Sequence, residues 1–194
     1  MPAPENGSTM IEGRVVHKVS NALKITFSAG PGDPLAVGVR GAGNGLGAKA
    51  AILFGFKNSG TGKHRITYAD GSVVWVESRS SEPTVLSRGD GTAIGTIQRA
   101  DTSTAVGSTA GTLFHFVPDA EEAETPELYR LVVLDRMGEE TGRLDVVRAS
   151  TGHIPILGTR LRLRHPLDRV ERDVLLGACV DITLGLRPYV AAMR

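Results

Sequence analysis

The sequence predicts a mostly β (α+β) protein, arranged as a barrel or sandwich of about twelve short strands with one buried helix near the C-terminus. Three observations favour this class. β-type runs recur at intervals of about 8–12 residues between Ile11 and Leu163, as in all-β domains. Glycine is frequent, at 24 of 194 residues, which suits a chain with many turns. A single long apolar segment follows the last run.

The candidate strands are separated by Gly, Asp-Gly and Pro, which mark turns. They cover residues 14–19, 22–29, 34–39, 50–56, 64–69, 72–78, 84–87, 93–99, 112–117, 129–134, 143–149 and 159–164. An acidic loop, Pro118–Glu127, interrupts them once. Residues 1–10 carry neither a basic nor an apolar signal segment, and we expect a disordered tail there. A single domain is expected over residues 11–194.

An internal repeat predicts tight hairpins. In DGTAIGTIQR, from Asp90, and DRMGEETGRL, from Asp135, a first glycine is followed four residues later by a second one inside the returning run. A shorter copy begins at Asp70. Asp-Gly favours a tight turn because glycine adopts a positive φ without steric cost. The second glycine indicates a bulge or a close backbone approach. Calcium at these turns would need more carboxylates per loop.

One helix is predicted within residues 165–188. Asp168 and Glu171 have the spacing of a capping box, and Pro188 ends the segment. The residues between are apolar on nearly every face, so the helix must be enclosed by protein or by lipid. Its uninterrupted apolar core, Val174–Val180, is much shorter than the roughly 20 residues of a membrane span. We therefore expect this helix inside the protein.

Two residues of this helix carry polar or reactive groups. A buried Asp181 needs partners, so it is expected to bond to a strand side chain or backbone, or to face a barrel mouth. Cys179 is the single cysteine of the chain, and we expect an inert core thiol. Without a disulfide framework, a reducing cytoplasmic compartment is the expected location.

Patterns typical of enzymes and cofactor sites are not found. The glycine-rich stretch GAGNGLGAKAAILF, Gly41–Phe54, is predicted to be an inter-strand loop, because no helix follows and Lys63 stands where a ribose-binding acid is expected. The sequence has no nucleophile elbow and no Cys-x-x-Cys. We therefore expect no enzymatic activity, no metal site and no cofactor. Metal-ligand spacing is also absent from the five histidines, His17, His64, His115, His153 and His165.

The strongest local charge feature is TRLRLRHPLDR, in which three arginines alternate with leucines. In a strand, this alternation puts the three guanidinium groups on one face. Because guanidinium groups suit phosphate oxygens, we predict an anion or lipid-headgroup site. Its candidate residues are Arg160, Arg162, Arg164 and Arg169.

The alternative interpretation of this segment is a solvated outer face that binds nothing. Nearby acids would partly balance the strand arginines and the two that follow a turn later, Arg169 and Arg172. Duplex nucleic acid is not expected as a partner, because the net charge is only +1 and aromatic residues are 5% of the chain. The balancing acids in this interpretation are Asp168, Glu171 and Asp173.

The repeated hairpin units and the terminal apolar helix resemble the tubby C-terminal-like superfamily, and within it the small bacterial LURP-one-related, phospholipid scramblase-like proteins. The units are Tyr68–Glu77, Leu86–Arg99 and Leu131–Arg148, and the helix is Val170–Leu186. The resemblance covers about Val15–Arg187. It implies a closed antiparallel β-barrel of about twelve strands around a central hydrophobic C-terminal α-helix.

The resemblance also implies a function. Tubby relatives bind phosphoinositide headgroups through basic residues on the barrel wall, and scramblases are proposed to move lipids with calcium. The expected function is a non-enzymatic, cytoplasmic module that binds phospholipid or phosphoinositide headgroups peripherally at a membrane. The chain has no recognisable copy of the tubby site motif, no palmitoylated cysteine cluster and no scramblase calcium loop. The alternative is a protein-interaction scaffold that uses Pro118–Glu127 or the glycine-rich stretch.

Overall fold

In the computed structural model, the described part of the chain contains twelve strands and one helix. Residues 9–17, 23–29, 34–41, 62–78, 82–100, 102–119, 128–151 and 154–185 are described. The elements are β1 Thr9–His17, β2 Leu23–Ser28, β3 Ala36–Gly41, β4 Gly62–Tyr68, β5 Val73–Ser78, β6 Thr84–Arg88, β7 Ala93–Arg99, β8 Thr104–Ser108, β9 Gly111–Pro118, β10 Leu128–Asp135, β11 Glu140–Thr151, β12 Ile154–Leu163 and α1 Arg169–Gly185.

The strands form one closed antiparallel barrel. Each strand pairs with its neighbours in sequence, and β12 completes the ring by pairing with β1. The longest ladder joins β11 to β12, from Gly142 opposite Leu163 to Thr151 opposite Ile154. Closure leaves none of the twelve described strands with an edge open to another chain. The predicted mostly β class and the closed barrel are therefore confirmed.

Helix α1 occupies the interior of this barrel. Every residue from Asp173 to Thr183 is buried, so none of the helical faces in this stretch reaches solvent. Each of the twelve strands contributes at least one buried apolar side chain to the core around it. The Cβ position of Gly38 in β3 lies 3.4 Å from Val180, and that of Gly95 in β7 lies 3.0 Å from Val174. The prediction of a central, enclosed helix is confirmed.

The capping box at the start of α1 is present. The backbone N–H of Glu171 donates to Asp168 Oδ1 at 2.8 Å, and the backbone N–H of Asp168 donates to Glu171 Oε2 at 3.0 Å. These two bonds satisfy donors that have no partner inside the helix. The observed helix starts and ends one residue before the predicted Val170–Leu186.

The three repeat units form hairpins, as predicted. In each turn, a carboxylate accepts the backbone N–H of the residue two positions later, at 2.8–2.9 Å. The glycine of each turn has a positive φ, between 80° and 88°. These hairpins link β4 to β5, β6 to β7 and β10 to β11. The turn residues are Asp70 with Gly71, Asp90 with Gly91, and Asp135 with Gly138.

The second glycine of the two full repeats combines a bulge with a close approach. The β6–β7 register shifts next to Gly95, and the β10–β11 register shifts next to Gly142. A Cβ at Gly95 would overlap the carbonyl oxygen of Gly107, and one at Gly142 would overlap that of Arg162. Both predicted roles of this glycine are therefore confirmed.

One observed strand was not predicted from the sequence. β8 is short and mostly small or polar, and Val106 is its only fully buried residue. The predicted strand over residues 50–56 lies outside the described residues, as do residues 42–54 of the glycine-rich stretch and residues 120–127 of the acidic loop. β1 begins at Thr9, opposite Leu163, two residues before the predicted start of the domain.

Replacing Gly142 by Ala tests the close strand approach. The added methyl group meets backbone, which cannot rotate away, so we expect a loss of about 1–3 kcal/mol in the free energy of unfolding. Urea denaturation measures this loss. The control is Gly158→Ala in β12, whose Cβ position lies 3.5 Å from its nearest neighbour, Gly13 O. Equal stabilities of the two variants would contradict the prediction.

Candidate functional site

Arg160 and Arg162 in β12, and Arg164 just after the strand, are exposed on the barrel wall. Leu161 and Leu163 point inward and are buried, while the arginines between and after them are exposed. This is the alternation predicted from TRLRLR. The exposed side-chain fractions are 52% for Arg160, 50% for Arg162 and 58% for Arg164.

Each of these three arginines contacts a carboxylate on a neighbouring strand or turn. Of the acids expected in the alternative interpretation, Asp173 pairs with Arg172 at 3.1 Å, whereas Asp168 and Glu171 cap α1. The observed pairs are Arg160 Nε with Glu12 Oε1 at 3.1 Å, Arg162 Nη2 with Asp145 Oδ2 at 2.7 Å, and Arg164 Nη2 with Glu140 Oε1 at 2.8 Å.

A groove of about 410 Å³ lies on the outer wall of β10, β11 and β12. We call it the arginine groove. Four guanidinium groups and three carboxylates line it, so its formal charge is +1. Its lining residues are Asp119, Arg130, Leu131, Glu140, Arg143, Asp145, Arg162 and Arg164.

Strand register brings these charges together. Asp145 in β11 lies opposite Arg130 in β10, and Arg143 in β11 lies opposite Arg162 in β12. Like charges directly opposite each other destabilise a sheet unless opposite charges intervene. Here Asp119 and Glu140 pair with Arg143, and Asp145 pairs with Arg162. These ion pairs hold the arginines in a fixed arrangement.

Two of the carboxylates are deeply buried and contact guanidinium groups. The Asp145 side chain is 7% exposed and lies 2.7 Å from Arg162 Nη2 and 3.5 Å from Arg130 Nε. The Asp119 side chain is 5% exposed, and its Oδ2 lies 3.0 Å from Arg143 Nη1. Because an unpaired buried charge is costly, each of these contacts fixes the position of both partners.

Glu140 is the most accessible carboxylate of the groove, with 26% of its side chain exposed. Its Oε1 accepts a hydrogen bond from Arg143 Nε at 3.1 Å and forms an ion pair with Arg164 Nη2 at 2.8 Å. The hydrogen bond from Arg143, followed by the positive charges of Arg143 and Arg164, lowers the pKa of Glu140 below its usual 4.5. The groove therefore holds this residue ionised.

The groove has the chemistry of an anion site. Guanidinium groups carry several N–H donors in a planar fork that matches phosphate and carboxylate oxygens. Arg162 and Arg164 are at least half exposed, so an anion from solvent reaches their guanidinium groups. Ion pairs already hold these side chains, which reduces the entropy lost when a ligand binds.

The structure brings only some of the predicted site residues together. Arg162 and Arg164 both line the arginine groove, whereas Arg160 pairs with Glu12 beside it. Arg169 lines a separate pocket of about 140 Å³ with Arg88 and other residues near the start of α1. Arg130 and Arg143 were not among the predicted site residues. Their signal is the same alternation of charged and apolar residues, in YRLVVL and RLDVVR.

Asp181 bonds to strand side chains, which is one of its two predicted situations. Its side chain is 2% exposed, while that of its main partner, Arg99, is 49% exposed and reaches solvent. The interior carboxylate thus connects α1 to the barrel rim. The contacts to its carboxylate are Arg99 Nη2 at 2.7 Å and Nε at 3.1 Å, Ser78 Oγ at 2.7 Å and Thr84 Oγ1 at 3.4 Å.

Other candidate chemistry is weak in the described part of the chain. Burial raises the pKa of the Cys179 thiol to about 12, which disfavours the reactive thiolate. In the ranges that the structure describes, no group of three or more His, Cys, Asp or Glu residues is placed to hold a metal ion. The same ranges contain no helix with the length and apolar character needed to cross a bilayer.

Comparison of the chain with protein-family models, with curated proteins and with solved structures found no match. The resemblance to the tubby C-terminal-like superfamily therefore stays a prediction.

The contact between Asp181 and Arg99 predicts a strong dependence of stability on both groups. Arg99→Met leaves the buried Asp181 carboxylate without its guanidinium partner, so we expect a loss of about 3 kcal/mol in the free energy of unfolding. This value is at the low end for buried ion pairs because the Arg99 side chain is half exposed. The double variant Arg99→Met with Asp181→Asn should recover part of this loss. Chemical denaturation measures both. The prediction would be wrong if the stability loss of the double variant equalled the sum of the losses in Arg99→Met and Asp181→Asn.

The two arginines around Glu140 predict an ordered pKa response. Arg143→Gln should raise the pKa of Glu140 more than Arg164→Gln does, because the hydrogen bond from Arg143 is the largest cause of the lowered pKa. A lowered pKa stabilises the fold above the unfolded-state value, and this contribution is lost as the pH falls through the folded-state value. Carboxyl-carbon NMR titration reports both shifts. Arg65→Gln in β4 is the control, and equal shifts in all three variants would exclude this account.

Proposed function

We propose that the protein is a non-enzymatic member of the tubby C-terminal-like superfamily that binds the phosphate-bearing headgroup of a phospholipid. The proposed site is the arginine groove, and the proposed location is the cytoplasmic surface of a membrane. One observation carries the proposal. Four guanidinium groups converge on a single groove, and those of Arg162 and Arg164 are at least half exposed.

The architecture supports this proposal. A closed barrel around an apolar helix is the fold that the resemblance implies, although a fold alone does not define a function. Helix α1 and the inward side chains of the described strands occupy the interior, which leaves the outer wall and the rim of this part of the barrel for a ligand. The arginine groove lies on that wall.

An exposed apolar side chain near the groove supports a membrane surface as the source of the ligand. Met137 is 78% exposed at the turn between β10 and β11. Its backbone N–H donates to Asp135 Oδ1 at 2.8 Å, which holds the turn. The same hairpin supplies Glu140 and Arg143 to the groove. Apolar burial together with electrostatic attraction is the usual basis of peripheral binding to anionic lipid.

Vesicle binding tests the proposal. The double variant Arg162→Gln with Arg164→Gln should partition about 30-fold less onto phosphatidylglycerol-containing vesicles, since each basic residue contributes about 1 kcal/mol near an anionic surface. Co-sedimentation with vesicles of known composition measures the partitioning. Neutral phosphatidylcholine vesicles should bind neither the double variant nor the unmodified protein.

A matched control separates the groove from general charge. Lys63→Gln with Arg65→Gln removes the same charge from the exposed face of β4, outside the groove. This control should bind almost as well as the unmodified protein. Equal losses in the two double variants would remove the groove from the site. Failure of the unmodified protein to bind any anionic vesicle would overturn the proposal in favour of a protein-interaction scaffold.

A further inference from the structure

We infer that the arginine groove selects a phosphodiester headgroup of charge −1 over a phosphomonoester or a polyphosphorylated inositol headgroup. The inference rests on the proposed function and specifies its ligand class. Its basis is the charge of the lining, in which three carboxylates offset all but one of four guanidinium groups. The first negative charge of a ligand neutralises the lining charge of +1, so a second negative charge on the same ligand gains no net attraction.

The offsetting carboxylates are fixed parts of the groove. Asp119 and Asp145 are each more than nine-tenths buried, and each contacts a guanidinium group at 3.0 Å or less. Moving either side chain aside would leave an unpaired charge in a poorly hydrated position. A ligand therefore meets these negative charges along with the arginines, and each added ligand charge increases the repulsion.

Phosphate esters differ in the charge they bring to such a site. A phosphomonoester carries about −1.5 to −2 at neutral pH, whereas a phosphodiester has lost its second ionisable oxygen and carries one charge. Inositol headgroups with additional phosphates carry several more. Of these ligands, the diester alone matches a lining charge of +1.

The exposed arginines suit the two free oxygens of a diester. Arg162 lies in β12 and Arg164 directly follows its last residue, Leu163, so the two Cα atoms lie at most about 7 Å apart. Long arginine side chains at this spacing can approach one phosphate from two sides, each donating to a different oxygen. The groove volume of about 410 Å³ is sufficient for a small headgroup.

Vesicles of matched surface charge test the selectivity. Phosphatidylglycerol supplies the diester, and a phosphatidylinositol bisphosphate supplies the polyanion, at a lower fraction that gives the same total charge. The unmodified protein should bind the phosphatidylglycerol vesicles about tenfold more tightly. Tighter binding to the bisphosphate vesicles would overturn this inference and leave the proposed function standing. Binding to neither would overturn the proposed function itself.

Glu140→Gln tests the role of the carboxylates directly. This change raises the lining charge to +2 and affects the most accessible acid, so the preference for phosphatidylglycerol should fall or reverse. The control is Glu77→Gln in β5, which makes the same charge change outside the groove. An unchanged preference in Glu140→Gln, or an equal change in the control, would contradict the inference.

A soluble ligand distinguishes a lipid headgroup from a free phosphate ester. Glycerophosphoglycerol presents the same diester without acyl chains, and calorimetry measures its binding. Met137→Gln should weaken vesicle partitioning while leaving the affinity for glycerophosphoglycerol unchanged, because Met137 lies in the turn and not in the groove lining. Unchanged vesicle partitioning in this variant would overturn the assignment of the ligand to a lipid surface.

Discussion

The apolar helix α1 is stable in water only when the strands close completely around it. Its large apolar residues between Val174 and Val180 expose no more than 1% of their surface. An open sheet would leave one side of the helix in contact with solvent. Full burial of each large apolar side chain contributes about 1.5–3 kcal/mol. Closure in turn needs the β1–β12 pairing, which joins the two ends of the strand sequence. Helix burial and ring closure therefore depend on each other.

Because of this mutual dependence, the inward and outward residues of each strand have different roles. Inward residues are committed to the helix, so recognition is left to the outward half of each strand. The division is visible at the end of β12 and in the residue after it, with Leu161 and Leu163 buried and Arg160, Arg162 and Arg164 exposed. The outward charges are ordered by carboxylates on adjacent strands, and the resulting arginine groove has a defined composition and not merely a basic character.

Local signals in the sequence were sufficient for the hairpins, the helix and the arginine alternation. Asp-Gly turns, capping-box spacing and period-two patterns each involve residues within a few positions of one another. The groove required more, since Arg143 meets Arg162 only through the register of β11 on β12. β8 was missed because its burial comes from neighbours and not from its own apolar content. Long-range pairing explains both failures.

Directional contacts at its two ends set the position of α1, because an apolar rod has no preferred rotation or depth of its own. The hydrophobic effect has no direction, whereas cation–π contacts and hydrogen bonds do. At the first end, the Arg172 guanidinium stacks on Tyr68, 4.4 Å from the ring centre. Near the other end, Asp181 binds Arg99. Because α1 packs against β12, these two contacts also fix the surface that supports the inward leucines of the arginine-bearing strand.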